Sequence, residues 1–185
     1  MTQDLIDNFC GKNLIKDMVD KNFQLGISLE KLYDDLIITT SSGLNIVKLT
    51  IMSIIWHLYV EKNRRWRNIL YDEVKILNED GFNYTELASL LNFNAFISEV
   101  IRYESSFSFL NNYVIKDFEM VIGEKVYKLK KGTYITSNIY AIHYEKDSLL
   151  KFDPSRFLNK NDDSCFVPFG IGGRSCPGKS IGLSM

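Results

Sequence analysis

Apolar side chains recur at three- and four-residue spacing through roughly the first hundred positions of the chain, and alternate over short stretches after that. Leu14, Ile15, Met18 and Val19 mark an amphipathic helix that Gly26 is placed to stop. Ser28, ahead of Lys31 and Leu32, reads as a fresh helix start. The pattern then predicts one long helix over 29–62, disturbed at Thr39-Thr40-Ser41-Ser42-Gly43, because small hydroxyl residues and glycine are weak helix formers. Residues 64–77 form a further amphipathic helix with Trp66, Ile69, Leu70 and Leu77 inward and Asp72, Glu73 and Lys75 polar. Asn78-Glu79-Asp80-Gly81 reads as a loop. Thr85 is expected to cap a short helix ending at Leu91, and a helix over 92–104 follows. The character changes after Ser105. Residues 113–136 alternate and carry Gly123 and Gly132, which predicts short strands and hairpins. Asn138 to His143 suits a short helix or turn, and from Asp147 the chain is irregular up to a glycine cluster at 170–173.

Within the long helix, Gly43 to Val60 is mostly apolar and about one membrane span in length. Asn45, Lys48 and His57 lie inside it and are costly at bilayer depth. The expectation is therefore a buried central helix of one soluble domain covering 1–185, with no transmembrane anchor in the chain. The first residues lack the basic-then-apolar pattern of a signal peptide.

Composition narrows the classes. Of 185 residues, 45% are hydrophobic, enough for one packed domain. The 22 basic and 23 acidic side chains nearly cancel, and the net charge of −1 argues against broad capture of nucleic acid. Cys10, Cys165 and Cys176 are too few for a disulfide framework and fit a reducing, intracellular compartment where a functional thiolate survives.

The densest chemistry lies near the C-terminal end: Phe166-Val-Pro-Phe-Gly-Ile-Gly-Gly-Arg-Ser-Cys-Pro-Gly-Lys179. A sulfur that is to meet iron perpendicular to a flat porphyrin needs a chain that lies close to the ring with no side chains in the way. Gly170, Gly172 and Gly173 allow that approach and the positive φ angles of a tight loop. Backbone N–H groups around the sulfur tune its electron donation. Arg174 supplies a cation for a haem propionate. Gly178 permits the turn into a helix whose N-terminal dipole favours the thiolate. A phosphate loop would need a strand before the glycines and a Lys-Ser/Thr at P-loop spacing, or G-x-G-x-x-G opening a helix in a βαβ unit; neither is present. A zinc site would need more Cys and His than Cys165, Cys176 and two distant histidines provide.

Phe169, Gly172, Arg174, Cys176 and Gly178 match F-x-x-G-x-R-x-C-x-G at every fixed position, and in this the chain resembles the cytochrome P-450 superfamily of haem-thiolate monooxygenases. Glu99-Val-Ile-Arg102 resembles the family's E-x-x-R, with both charges on one helix face. Phe152-Asp-Pro-Ser-Arg156-Phe157 resembles its meander, which together with the cysteine loop occupies 147–179. The resemblance implies a structural triad of Glu99, Arg102 and Arg156. Lys131-Gly132-Thr133, Asn138 and Ala141-Ile-His143 resemble the intervening sheet region, with His143 in a structural role.

The implied fold is mainly α with a small antiparallel β region, similar to the C-terminal part of the family's fold. The implied cofactor is haem b, with Cys176 as axial ligand to iron, Arg174 on a propionate, Phe169 shielding the sulfur, and Gly172 and Gly178 shaping the loop. The implied partners are a small apolar substrate and an electron-donating reductase. The implied location is the cytoplasmic side, with the endoplasmic reticulum by family analogy alone.

The chain departs from the family where the helix over 29–62 stands for the distal helix. The family carries an acid-alcohol pair there. Aligning on Gly43 puts Asn45 and Ile46 at the pair, and counting back from Asn63 puts Val47 and Lys48 there; in neither case does a carboxylate adjoin an alcohol, and Thr39 or Ser42 would have to serve through water. Residues 103–115 hold no Pro, Lys, Arg or His, so one propionate contact is missing from its usual place. The expectation is a truncated member of doubtful activity, or, alternatively, a non-catalytic haem-binding or partner-binding remnant of the family.

Overall fold

In a computed structural model, the residues described are 14–77, 84–146, 150–158 and 166–184. They fall into two compact units that divide between Lys48 and Leu49. Helix α1 spans Leu14–Leu25, and Gly26 follows it at φ +63°, a conformation that costs glycine nothing and ends the helix. Helix α2 spans Leu29–Tyr59, with the Ser28 hydroxyl accepting the Lys31 N–H at 3.3 Å.

Two expectations about α2 are corrected. It runs unbroken through Thr39–Gly43. The polar side chains there are absorbed along the helix: Thr39 Oγ1 donates to the Asp35 carbonyl at 2.7 Å, and the Asn45 amide donates to Ser41 Oγ at 3.4 Å. Nor is α2 a buried central helix. Its most apolar window has none of its residues buried, and among its side chains Leu32 and His57 are the buried ones. By length and composition it is long and apolar enough to cross a membrane. From Leu49 onward it offers one covered stripe, in which Ile54 and Leu58 pack on the core while Met52, Ile55, Trp56 and Tyr59 face outward.

A short 3-10 turn, Glu61–Asn63, leads into α3, Arg64–Val74. Helix α4 spans Tyr84–Ser89 and α5 spans Leu91–Tyr103. Thr85 lies inside α4 and not at its cap, and the Asn78–Gly81 loop falls outside the described residues. No side chain of Leu90 can cap α5. Instead the Glu73 carboxylate of α3 accepts the N–H groups of Asn92 at 2.9 Å and Phe93 at 2.7 Å, and the Asn92 side-chain amide at 3.0 Å. A carboxylate at the positive end of a helix satisfies donors that would otherwise lack partners, and here it also ties α3 to α5.

The core lies on that junction. Leu70 of α3 and Phe96 and Val100 of α5 are buried together, and Ile54, Leu58, Trp66, Phe93 and Phe152 pack around them. Strand β1 (Phe109–Tyr113) pairs antiparallel with β4 (Tyr134–Asn138), and β2 (Phe118–Ile122) pairs antiparallel with β3 (Lys125–Leu129). The β region thus begins before and ends after the expected 113–136. Gly123 at φ +60° closes the β2–β3 hairpin.

Helix α6 spans Ile139–His143 and is capped by the Asn138 side chain, which accepts the Ala141 N–H at 2.9 Å. Further 3-10 turns at Pro154–Phe157 and Gly172–Arg174 precede a last helix, α7, Lys179–Ser184. The architecture is mainly helical with a small antiparallel β region, as the pattern predicts.

Candidate functional site

Two groups of residues singled out from the sequence lie in the unit that begins at Leu49: a buried charge cluster on α5 and the cysteine loop. Glu99 and Arg102 are fully buried on α5. The Glu99 carboxylate is saturated. Its Oε2 accepts Arg102 Nε at 2.7 Å and Arg156 Nε at 3.0 Å. Its Oε1 accepts Arg102 Nη2 at 2.8 Å and the Asp153 N–H at 2.7 Å. The guanidinium groups spend their remaining donors on the irregular chain. Arg102 Nη1 reaches the His143 carbonyl at 2.9 Å, while Arg102 Nη2 and Arg156 Nη2 both reach the Lys151 carbonyl, at 3.3 and 3.0 Å. One acid between two permanent cations, with every oxygen filled, offsets the desolvation of burial. It fixes residues 151–156 against α5.

The cysteine loop begins at Phe166. Two turns shape it: Gly170 N–H donates to the Val167 carbonyl at 3.0 Å, and Ser175 N–H to the Gly172 carbonyl at 3.1 Å. The Cys176 N–H donates to the Phe169 carbonyl at 2.8 Å, which folds the loop back on itself. Gly170 and Gly172 hold φ at +68° and +72°, where an L side chain is strained. Cys176 is a free, exposed thiol. A Cβ at Gly178 would sit 3.8 Å from its sulfur, whereas a Cβ at Gly172 or Gly173 would meet nothing within 4 Å. Phe169 is half-buried, with the Lys179 ammonium 5.6 Å from its ring centre. Arg174 is exposed.

The chemistry of this donor set discriminates between groups it could hold. Among the described residues there is no cluster of three or more His, Cys, Asp or Glu side chains suited to a metal ion. A single cysteine sulfur, on a loop where a Cβ at Gly172 or Gly173 would meet nothing within 4 Å, fits a flat group that needs one ligand from the protein. The residues present fit haem.

His143 connects the two groups and was legible in the sequence only as a structural histidine. It is 1% exposed. Its Nδ1 lies 3.2 Å from the Arg102 carbonyl, and its Nε2 accepts the Val167 N–H at 3.2 Å. Burial pushes its pKa below the ordinary imidazole value, and the nearby Arg102 guanidinium pushes the same way against the hydrogen bond to the Arg102 carbonyl.

A second histidine, His57, is buried as well. His57 of α2 stacks on Phe152 at 4.4 Å, accepts the Asn63 side-chain amide at Nδ1 (3.4 Å) and meets the Glu104 carboxylate at Nε2 (3.3 Å). The Asn63 amide also donates to the His57 carbonyl at 2.9 Å. An open pocket nearby, lined by Ser53, Tyr103, Glu104, Ser105 and Tyr140 among others, includes no residue of the cysteine loop.

Comparison with known proteins follows the same lines. The sequence profile described as Cytochrome P-450 matches residues 3–185. A probable cytochrome P-450 of Dictyostelium discoideum is 36% identical over 90 residues, which cover 47% of this chain and 17% of the relative. A tabersonine/lochnericine 19-hydroxylase of Catharanthus roseus is 30% identical over 135 residues, covering 69% of this chain and 25% of the relative. A solved zebra fish cytochrome P-450 with progesterone aligns at a TM-score of 0.64 and 23% identity, over 78% of this chain and 33% of that one. This last likeness bears on the fold. The chain spans a quarter or less of the length of these two curated relatives.

Proposed function

Because the chain belongs to the cytochrome P-450 family, we propose that residues 1–185 form a partial haem-thiolate monooxygenase domain, with a distal-type helix at about 29–62 and the iron ligand on the cysteine loop. The observation that carries this reading is the free, exposed Cys176 on a loop closed by the Cys176–Phe169 hydrogen bond and open beside Gly172 and Gly173.

In this reading Cys176 gives its thiolate to the haem iron, Arg174 pairs with a propionate, Phe169 shields the sulfur, and Gly172 and Gly178 let the backbone approach the ring. Glu99, Arg102 and Arg156 do not touch the cofactor. They hold residues 151–156 in register with α5. When bound, haem supplies the activation of O₂ that places one oxygen atom in an apolar substrate and releases the other as water, with electrons from a reductase. Substrate, reductase and a place on the cytoplasmic side of a membrane belong to the whole family protein, and come to this chain as part of the same proposal.

The experiment is reconstitution of the full chain with haem. A ferrous–CO Soret band typical of thiolate ligation, absent in Cys176→Ala, is the expected result. An imidazole-type spectrum, or one unchanged by the substitution, would overturn it.

A second reading, haem binding without oxygenation, draws on one observation. The hydroxyl of Thr39, which with Ser42 is the alcohol the resemblance leaves for an oxygen-side proton relay, donates to the Asp35 carbonyl at 2.7 Å along its own helix. The thiolate spectrum together with no reductase-dependent turnover is the outcome that favours it; turnover excludes it.

A further inference from the structure

We propose that His143 is a positioning residue for the cysteine loop: a neutral imidazole, protonated on Nδ1, that fixes the start of the loop to the carbonyl end of the Glu99–Arg102 helix turn. The inference rests on the haem-thiolate reading for its purpose and on geometry for its substance.

The tautomer follows from the partners. The Arg102 carbonyl, 3.2 Å from Nδ1, can only accept. The Val167 N–H, 3.2 Å from Nε2, can only donate. Nδ1 therefore carries the hydrogen and Nε2 the lone pair, and the charged imidazolium, a donor at both nitrogens, cannot hold Val167. The site is dry enough for this to matter, since the ring is 1% exposed and has Phe166 at 5.8 Å.

Among the described residues the charged group facing the ring is Arg102, on α5; from the cysteine loop it is faced by the neutral Phe166 and Val167. Arg102 is tied to the same residue twice, because its Nη1 donates to the His143 carbonyl at 2.9 Å. Thus the backbone and the ring of His143 each hold one end of the link between the buried triad and the loop. Val167 in turn receives the Gly170 N–H at 3.0 Å, the first turn of the path that ends at the Phe169–Cys176 hydrogen bond. Displacing Val167 moves the segment from which the sulfur is presented.

The test uses the full chain without haem and two substitutions of different reach. His143→Gln places an amide oxygen where Nε2 stands and keeps an acceptor for Val167. His143→Asn keeps a donor near the Arg102 carbonyl but falls short of Val167. The Val167 amide should exchange with solvent at least about fivefold faster in His143→Asn than in wild type, and close to the wild-type rate in His143→Gln. The wild-type protection should fall as the imidazole is protonated, while the His143→Gln protection stays flat once intrinsic exchange is corrected. The nitrogen spectrum of the wild-type ring should report the Nδ1–H tautomer.

An Nε2–H tautomer, or equal Val167 protection in both variants, would overturn the proposal. Haem addition separates it from the reading above. If Val167 responds as stated but no thiolate spectrum forms, the strut stands and the haem reading fails. If the thiolate spectrum forms equally in both variants, His143 does not position the loop for haem.

Discussion

Glu99 and Arg156 meet at 3.0 Å across 57 residues of sequence, on the same carboxylate oxygen that accepts Arg102 Nε. Glu99 is fully buried and Arg156 8% exposed. Replacing Glu99 by Gln leaves two guanidinium groups buried against a neutral amide that also presents a donor to them. The expected loss is about 3–5 kcal/mol of unfolding free energy, read by urea denaturation. Arg156→Ala removes one cation but leaves the Arg102–Glu99 fork intact, so its cost should be clearly smaller. Equal costs for the two substitutions would show that Arg156 and not Arg102 carries the cluster.

Gly170 and Gly173 respond oppositely to a methyl group. Gly170 holds φ at +68°, so alanine there should cost about 1–2 kcal/mol of stability. Its new Cβ would lie 3.5 Å from Leu110 Cδ1, an ordinary contact, so the backbone carries the cost. At Gly173 a Cβ meets nothing within 4 Å and φ is not in the left-handed region. Gly173→Ala should leave stability unchanged or raise it by up to about 1 kcal/mol. If haem lies over this face, the same methyl lowers haem uptake without lowering the melting temperature, and titration with haem measures it.

What the sequence made legible was local. The cysteine loop could be read because glycine, arginine and cysteine at fixed offsets serve one short piece of backbone. Glu99 and Arg102 could be paired because three residues is a helical spacing. The Arg156 partner came from resemblance and not from spacing.

What stayed hidden depends on which surfaces meet. The apolar stripe of α2 announces hydrophobic contact but not its partner, and so the helix was expected to be buried where Met52, Ile55 and Trp56 are in fact exposed. Thr85 looked like a cap, while the cap of α5 came from Glu73, a carboxylate in another helix. His57, Asn63 and Glu104 carry no motif, and their cluster forms only once α2 and α5 are packed.

Cys176 should be nearly silent in stability. The thiol is exposed, and the hydrogen bond to Phe169 uses the backbone N–H, which alanine retains. Cys176→Ala should therefore change the unfolding free energy of the haem-free chain by no more than about 0.5 kcal/mol. A larger loss in a denaturant melt would mean that the sulfur is packed in the haem-free protein.

His143 makes stability depend on pH with a definite sign. Its folded-state pKa lies below the 6.5 of a free imidazole, chiefly through burial. Below that value the unfolded chain takes up a proton that the folded chain refuses, so the unfolded state binds more protons and stability falls as pH falls. The contribution is fully present above about pH 6.5 and is lost progressively as pH drops toward the folded-state pKa. The chain has two histidines, His57 and His143, so the wild-type profile alone does not isolate His143. The difference between wild type and His143→Gln does. Denaturant melts should give a gap between the two proteins that shifts in favour of the glutamine variant on acidification through this range. A gap independent of pH would mean that His143 binds its proton equally well in the folded and unfolded chain, and that neither burial nor the hydrogen bond from Val167 holds it neutral.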